Sequence, residues 1–476
     1  MKNKTIKLVA LMGLLVVLLT GVLFVVMSSA MNKETEASNE ELNLETYGAW
    51  IKCEVLQDLP VMKGKDIIVG DVVDYGNKHY VLDVNGTTVE EYKSYITLLQ
   101  SAGFKKHSDN GEDGLEGYVY TTSLTKDNLT ITISHIVKED KTYIAGALDL
   151  PLSDHLIYRE SYVENNQANA KTRVHMLELN DNGNSFIIQL KNGRFVVHDG
   201  GGTADAPYLV EYLESLTPGD EKPIVEAWFI SHAHNDHYGA VWEIGANEKY
   251  QNRILVNGFY FTEPNLQGVS LELSASQSVG LCRMVNKAFK SENGEVPKLY
   301  RPQIGQRYYF NDIYIDVPLT AEQLPYDSYD SSDLNDTSIW LMHHIEGQKF
   351  LLSGDTNNVG MRKAMKLYDE SYFDMEVMAV FHHGINVYDY FTNYCDVKTL
   401  LYTSFRAGSV WSDGSWKEAK EANETLRQSV EEYYHRGDGT VVLDFPYKVG
   451  TAKVLPTCGW KYNTVPGKPL RSNWGS

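Results

Sequence analysis

The spacing of apolar and polar positions changes several times along this chain, and each change marks a candidate boundary. From Leu8 to Met27 the sequence is an uncharged, mostly apolar run of twenty residues. At 1.5 Å per residue such a run makes about 30 Å of helix, the thickness of a hydrocarbon core. Lys2, Lys4 and Lys7 precede it and Glu34 and Glu36 follow it. The positive-inside bias then puts the amino terminus in the cytoplasm and the rest outside. Residues 1–30 are therefore expected to be an uncleaved membrane anchor. A second reading is cleavage after Ser28-Ser29-Ala30, which would release the chain as a secreted protein. Residues 31–45 are polar and without period, as suits a spacer.

Residues 46–150 carry a different pattern. In Thr88 to Ala102, Val89, Tyr92, Ile96 and Leu99 fall at helical spacing, with Gly103 as a stop. Gly117 to Thr122 and Leu129 to Ile136 alternate as strands do, so a small α+β domain is expected. It holds no cluster of His, Cys or Glu, which points to binding or spacing rather than catalysis.

Residues 165–450 read as a larger unit, with residues 451–476 as a tail. Arg173 to Leu179, Ser185 to Leu190 and Arg194 to His198 are short alternating runs joined by Asp181-Asn182-Gly183-Asn184 and Lys191-Asn192-Gly193, the signature of consecutive hairpins. Val225 to Ile230 reads as a buried strand, a helix follows Tyr238, and Gly439 to Phe445 is the last strand. No Gly-rich phosphate loop interrupts this alternation. A layered α/β sandwich is favoured over a nucleotide-binding fold.

Composition narrows the partners. With 43 Lys+Arg against 63 Asp+Glu the formal charge is −20, which repels polyanions, and no basic groove offsets it. Nucleic acid is disfavoured, and a small-molecule or cell-envelope ester is the expected substrate. The four cysteines, Cys53, Cys282, Cys395 and Cys458, form no CxxC pair and read as isolated buried thiols.

Chemistry concentrates where the strand ending at Ile230 gives way to Ser231-His232-Ala233-His234-Asn235-Asp236-His237. Residues two apart on an extended segment face the same side, so His232 and His234 can grip one ion while Asp236 and His237, on the following bend, reach a second. Two further apolar strands end in ligand types, at Gly354-Asp355 and at His382-His383-Gly384. An aspartate delivered this way can bridge two cations and a histidine can close the second site. His343 and His344 lie on a strand of a hairpin turning at Ile345 to Gln348, which puts Asp355 opposite Ser338. At about 3.3 Å per residue the two histidines are then nearly 20 Å from the site.

These pieces resemble the metallo-β-lactamase fold superfamily over roughly Arg173 to Pro446. The likeness rests on the strand ending in Asp199-Gly200-Gly201, the HxHxDH of His232, His234, Asp236 and His237, the Gly354-Asp355 pair and His382-His383-Gly384. The HHG ending and Asn335-Asp336-Thr337-Ser338 are similar to the ComEC-like branch, which includes secreted phosphodiesterases. The resemblance implies a four-layered αββα sandwich and two divalent cations, zinc first and manganese as the alternative. It implies one ion on His232 and His234, the other on Asp236, His237 and His382, with Asp355 bridging and Asp199 orienting the ligand loop. It also leaves the first site without its usual third imidazole, a place for an oxygen ligand such as Asn335 or a water.

The expected activity is hydrolysis of a phosphodiester or other phosphate ester by a hydroxide held between the cations, oriented by Asp236, with His383 protonating the leaving group. His382 and His383 could exchange roles. A carboxylic ester, lactone or β-lactam hydrolase is the alternative, as is a metal-bearing binding protein without turnover. The stretch Tyr326 to Asp333 sets aromatic rings beside carboxylates, suited to a quaternary ammonium group, although a solvated acidic loop is the plainer reading.

Overall fold

Among the described residues three sheets account for the strands. The computed structural model describes residues 55–457 except 57–58, 64–67, 75–77, 160–170, 181–182, 263–280, 282–283, 286, 325–333, 386 and 405–415. The expected anchor and spacer, Cys53, Cys282, Cys458 and the Tyr326 to Asp333 stretch lie outside the described residues. Among the described residues no helix is long and apolar enough to cross a membrane.

The first sheet is antiparallel: β1 (Ile68–Asp74), β2 (His79–Asn85), β3 (Lys105–Asp109), β4 (Val119–Lys126), β5 (Leu129–Ile136) and β6 (Lys141–Leu148), in the order β1-β2-β6-β5-β4-β3. Helix α1 (Val89–Ser101) covers one face. Thr88 opens it with a capping box to Glu91, which satisfies N–H groups that the first turn leaves without partners. Gly103 closes it at φ +93°, a conformation that disfavours side chains. Tyr92, Tyr95, Ile96 and Leu99 pack on Leu82, Val84, Leu124 and Ile131. Val89, expected in this stripe, is only half-buried, and Tyr95 takes the inward place.

The opposite face, through Val81, Val119, Ile136 and Tyr143, joins the core under the third sheet, so the described residues make one compact unit. The join is tight at Gly305. A Cβ there would lie 2.0 Å from Thr121 Oγ1, so only glycine lets Asn110 Nδ2 donate to the Gly305 carbonyl at 2.9 Å.

The second sheet contains β7 (Arg173–Met176), β8 (Ser185–Gln189), β9 (Phe195–Asp199), β10 (Ile224–Ile230), β11 (Leu255–Val256), β12 (Gly258–Phe261), β13 (Lys298–Tyr300), β21 (Val441–Asp444) and β22 (Lys453–Val454). The third runs β14 (Arg307–Phe310), β15 (Ile313–Leu319), β16 (Trp340–Ile345), β17 (Gln348–Leu352), β18 (Met375–Ala379), β19 (Val397–Tyr402) and β20 (Glu432–His435). Strand β10 shows why the sheets stack. Trp228 and Ile230 face helices α2 (Ala206–Ser215) and α3 (Asn235–Ala246), while Ala227 and Phe229 face the other sheet. From Ala227 to Ile230 the strand is buried on both faces and apolar throughout, and it is parallel to both β9 and β12.

Between the sheets Phe229 stacks on Tyr260 with centroids 4.5 Å apart, a contact worth about 0.5–1.5 kcal/mol beyond area burial. On the outer face of the third sheet Met361, Ala364 and Leu367 of α4 (Asn358–Leu367) meet Met342, Leu351 and Met378. The order across the larger unit is helices, sheet, sheet, helices. The ends of β9, β10, β17 and β18 open on one edge, where loops leave a rigid floor.

Candidate metal centre

The first ligand loop is shorter than its sequence suggests. Helix α3 begins at Asn235, not after Tyr238, with His234 extended as its N-cap, so Asp236 and His237 stand on the first helical turn instead of a bend. A carboxylate there suits the partial positive charge of the helix start. The His237 and Tyr238 amides both point back at the His234 carbonyl, at 3.0 and 3.1 Å. Gly183 lets the neighbouring turn close on this one, since a Cβ would sit 2.5 Å from the Asp236 carbonyl.

Hairpin β16–β17 delivers the second ligand. Its register pairs Leu341 with Leu352 and Ile345 with Gln348. Extended past the strand ends, this register sets Asp355 against Ser338, whose Oγ accepts the Asp355 amide at 3.0 Å. Gly354 turns the chain at φ +55°, where a Cβ would meet Ser338 Oγ at 2.7 Å and Ser231 Cβ at 2.9 Å.

Two donor sets result: His232, His234 and Asp355 in one, and Asp236, His237, Asp355 and His383 in the other, the ligand atoms of each within 4.8 Å of one another. Asp355 is common to both. Its Oδ2 lies 3.1 Å from His383 Nε2, 3.2 Å from His237 Nε2, 3.7 Å from His382 Nε2 and 4.0 Å from His232 Nε2. His232 Nε2 and His234 Nδ1 are 2.8 Å apart.

The charges are concentrated and buried. Burial opposes charging of His237, but Asp355, Asp199 and Asp236 outweigh it and hold this imidazole well above its ordinary value. His383 is raised in the same way, against burial, by Asp355 and Asp236. His232 goes the other way, pushed well down by burial and then by the neighbouring His237 and His234. Burial would raise the carboxyl of Asp355, yet His237, His383 and His382 hold it well below the usual carboxylate range.

A fixed frame surrounds the donors. Asp199, at φ +53° on the end of β9, accepts the Ser231 amide on Oδ1 at 2.7 Å. Its Oδ2 accepts Ser231 Oγ at 2.8 Å, Asn184 Nδ2 at 2.9 Å and His237 Nδ1 at 2.8 Å. The last bond fixes the tautomer, leaving His237 Nε2 for the cluster. Ser338 Oγ also reaches His232 Nδ1, at 3.2 Å. Sequence reasoning gives Ser231, Ser338 and Asn184 no role. Ser231 adjoins His232, and the hairpin register sets Ser338 opposite Asp355, which are the available signals; nothing sets Asn184 apart from an ordinary turn residue.

The paired histidines of the HHG turn do not stand as expected. His383, expected to be the proton donor, is buried in the second donor set with Nδ1 on Thr403 Oγ1 at 2.9 Å. His382, expected as the ligand there, is partly exposed and outside that set. The reason is backbone: both residues are left-handed, at φ +45° and +54°, which sends the rings apart. Asn335 is buried on the turn Leu334–Thr337, and that turn touches the donors through Ser338. His343 and His344 take no part. His343 Nε2 meets His198 Nε2 at 2.9 Å between the sheets, and His344 faces Asp316 at 3.1 Å.

The donor sets fit divalent cations. Two imidazoles and a carboxylate on one side, two imidazoles and two carboxylates on the other, are borderline ligands of the sort zinc and manganese accept. Asp236 Oδ1 and the Nε2 atoms of His237 and His383 are buried without a hydrogen bond of normal geometry, and the two Nε2 atoms face Asp355. Unpaired buried polar atoms are costly unless something occupies the space between them.

Residues 180–281 match the family model described as the Metallo-beta-lactamase superfamily. No curated protein matches the chain. Among solved structures, the metallo-beta-lactamase fold protein YhfI from Bacillus subtilis is similar at 10% identity over 55% of this chain and 95% of its own, TM-score 0.33. A metal-dependent hydrolase of the beta-lactamase superfamily is similar at 12% identity over 57% of this chain and 98% of its own, TM-score 0.32. A metallo beta lactamase from Hirschia baltica shares 15% identity over 41% of this chain and 76% of its own, TM-score 0.24. The family match takes in the whole His232 to His237 loop, so this segment is similar to the metallo-beta-lactamase superfamily.

Proposed function

We propose that this protein is a metal-dependent hydrolase that cleaves a phosphodiester or another phosphate ester outside the cytoplasmic membrane. The observation that carries the hydrolase class is Asp355 shared between two donor sets. In this reading His232, His234 and Asp355 hold one cation and Asp236, His237, Asp355 and His383 the other. Bound there, divalent cations supply Lewis acidity, lowering the pKa of water towards about 7 and offsetting negative charge on the attacked centre. The chain's residues do the positioning. Asp199 keeps the His237 ring turned so that Nε2 faces Asp355. Asp236 keeps Oδ1 buried without a hydrogen-bond partner, an acceptor that would orient the attacking water. No serine or cysteine nucleophile is required.

The phosphate ester is favoured by His382-His383-Gly384 and Asn335 to Ser338, which resemble the ComEC-like branch. The site of action is favoured by Lys2, Lys4 and Lys7 ahead of the apolar run from Leu8 to Met27. Purified protein with zinc or manganese, assayed on bis(p-nitrophenyl) phosphate, nitrocefin and a lactone, tests the chemistry. Turnover of the first, abolished by Asp236→Ala and Asp355→Ala, is the expected result. Turnover of nitrocefin or the lactone instead moves the substrate to a carbonyl compound, and cation binding without turnover makes the protein a binder. Protease accessibility of the large domain in intact cells tests its location.

A further inference from the structure

His382 sits beside both donor sets and belongs to neither, yet its geometry is as constrained as theirs. Two consecutive non-glycine residues in the left-handed region are uncommon, and such conformations collect where function holds them. The turn is anchored: the His382 amide donates to the Gly354 carbonyl at 3.2 Å, tying it to the turn that carries Asp355. The two imidazoles are splayed, 70° between planes and 5.9 Å between centroids. Each is held through Nδ1 by an oxygen of its own, His383 by Thr403 Oγ1 at 2.9 Å and His382 by Asn357 Oδ1 at 3.3 Å. With Nδ1–H donated to Asn357, the His382 Nε2 lone pair faces Asp355 Oδ2 at 3.7 Å, closer than His232 Nε2 comes. Two ligands of one tetrahedral ion bonded at about 2.0–2.1 Å would stand roughly 3.3 Å apart, a spacing that the His382–Asp355 pair already approaches. The second set already offers four donors and the first only three, one short of tetrahedral coordination, and His382 stands beside the carboxylate that both share.

We propose that the HHG turn serves both ions at once: His383 binds in the second set, and His382 is the third imidazole of the His232–His234–Asp355 set. The proposal rests on the two-cation reading above. It removes His382 from the role of proton donor, because a coordinated Nε2 carries no proton to give.

The test is metal content and affinity of the full chain, by mass spectrometry after dialysis and by Co(II) titration followed in the visible spectrum. Wild type binds two cations. His382→Ala keeps one tight cation and weakens the other by at least about 100-fold, beyond the roughly 10–100-fold cost of losing a supporting partner. His383→Ala weakens the opposite ion, and the visible spectra of the two variants differ. His382→Glu restores the second cation, since a carboxylate of similar reach can bind, and it also serves where the alanine variant does not fold. His382→Ala holding both cations as tightly as wild type overturns the proposal while leaving the two-cation reading intact. A wild type that holds no cation overturns both.

Discussion

His237 and His343 are both fully buried, yet their surroundings make them opposites. Around His237 stand Asp199, Asp236 and Asp355, and the ring is held well above its usual pKa despite burial. Around His343 stand Phe350 and His198 between two apolar sheet faces, and burial pushes its pKa down to about 3. Burial therefore does not separate a ligand from a core histidine in this molecule. Carboxylates do, because they balance positive charge brought into a dry space, while the inter-sheet pair can only share one proton between two neutral rings.

That comparison breaks in order of size. Asp355→Ala removes the shared carboxylate and should lower metal-dependent hydrolysis by roughly 10⁴-fold, about 5.5 kcal/mol in the barrier, read as kcat/KM at saturating metal. Asp199→Asn keeps the shape but frees His237, and should weaken cation binding by about 10–100-fold in a competition titration. His343→Leu should leave cation binding unchanged and cost about 1–3 kcal/mol in denaturant melts, because His198 Nε2 loses its partner in an apolar core. The double change His198→Phe with His343→Leu should cost less than the sum of the two singles, since no buried polar atom is left behind.

Acid supplies the finest test. His175 and His343 have folded pKa values lowered to about 3 from 6.5, by burial first. The unfolded chain binds these protons below about pH 6.5 and the folded chain does not, so stability is full above that pH and falls as pH drops towards 3. The loss is at most about 1.4 kcal/mol per pH unit for each ring. Denaturant melts of metal-free protein at pH 7 and pH 5 should show it, and His343→Leu should flatten the slope. An unchanged slope in that variant would mean His343 is charged in the core.

Much of this is legible in the sequence because the ligands sit at strand ends. The β16–β17 register follows from apolar alternation and a two-residue turn, Glu346-Gly347, both at positive φ. That register alone keeps His343 and His344 away from Asp355, since they lie towards the turn end of the hairpin and the aspartate beyond its open end. The helix start at Asn235 escapes the pattern because the apolar period begins only at Tyr238, while the first turn is set by His234 and the dipole. His382 and His383 are indistinguishable by spacing, since their separation depends on two left-handed residues that no side-chain pattern announces. Val89 is overcounted because a first-turn residue can satisfy the helical period and still overhang the sheet.

The central claim is that one aspartate joins two cation sites, and the stoichiometry of bound metal tests it most directly. Wild type dialysed against zinc or manganese and then against buffer should retain two ions per chain, Asp355→Ala fewer than one, and His343→Leu two. A wild type that retains one ion or none, or an Asp355→Ala protein that still retains two, would contradict it.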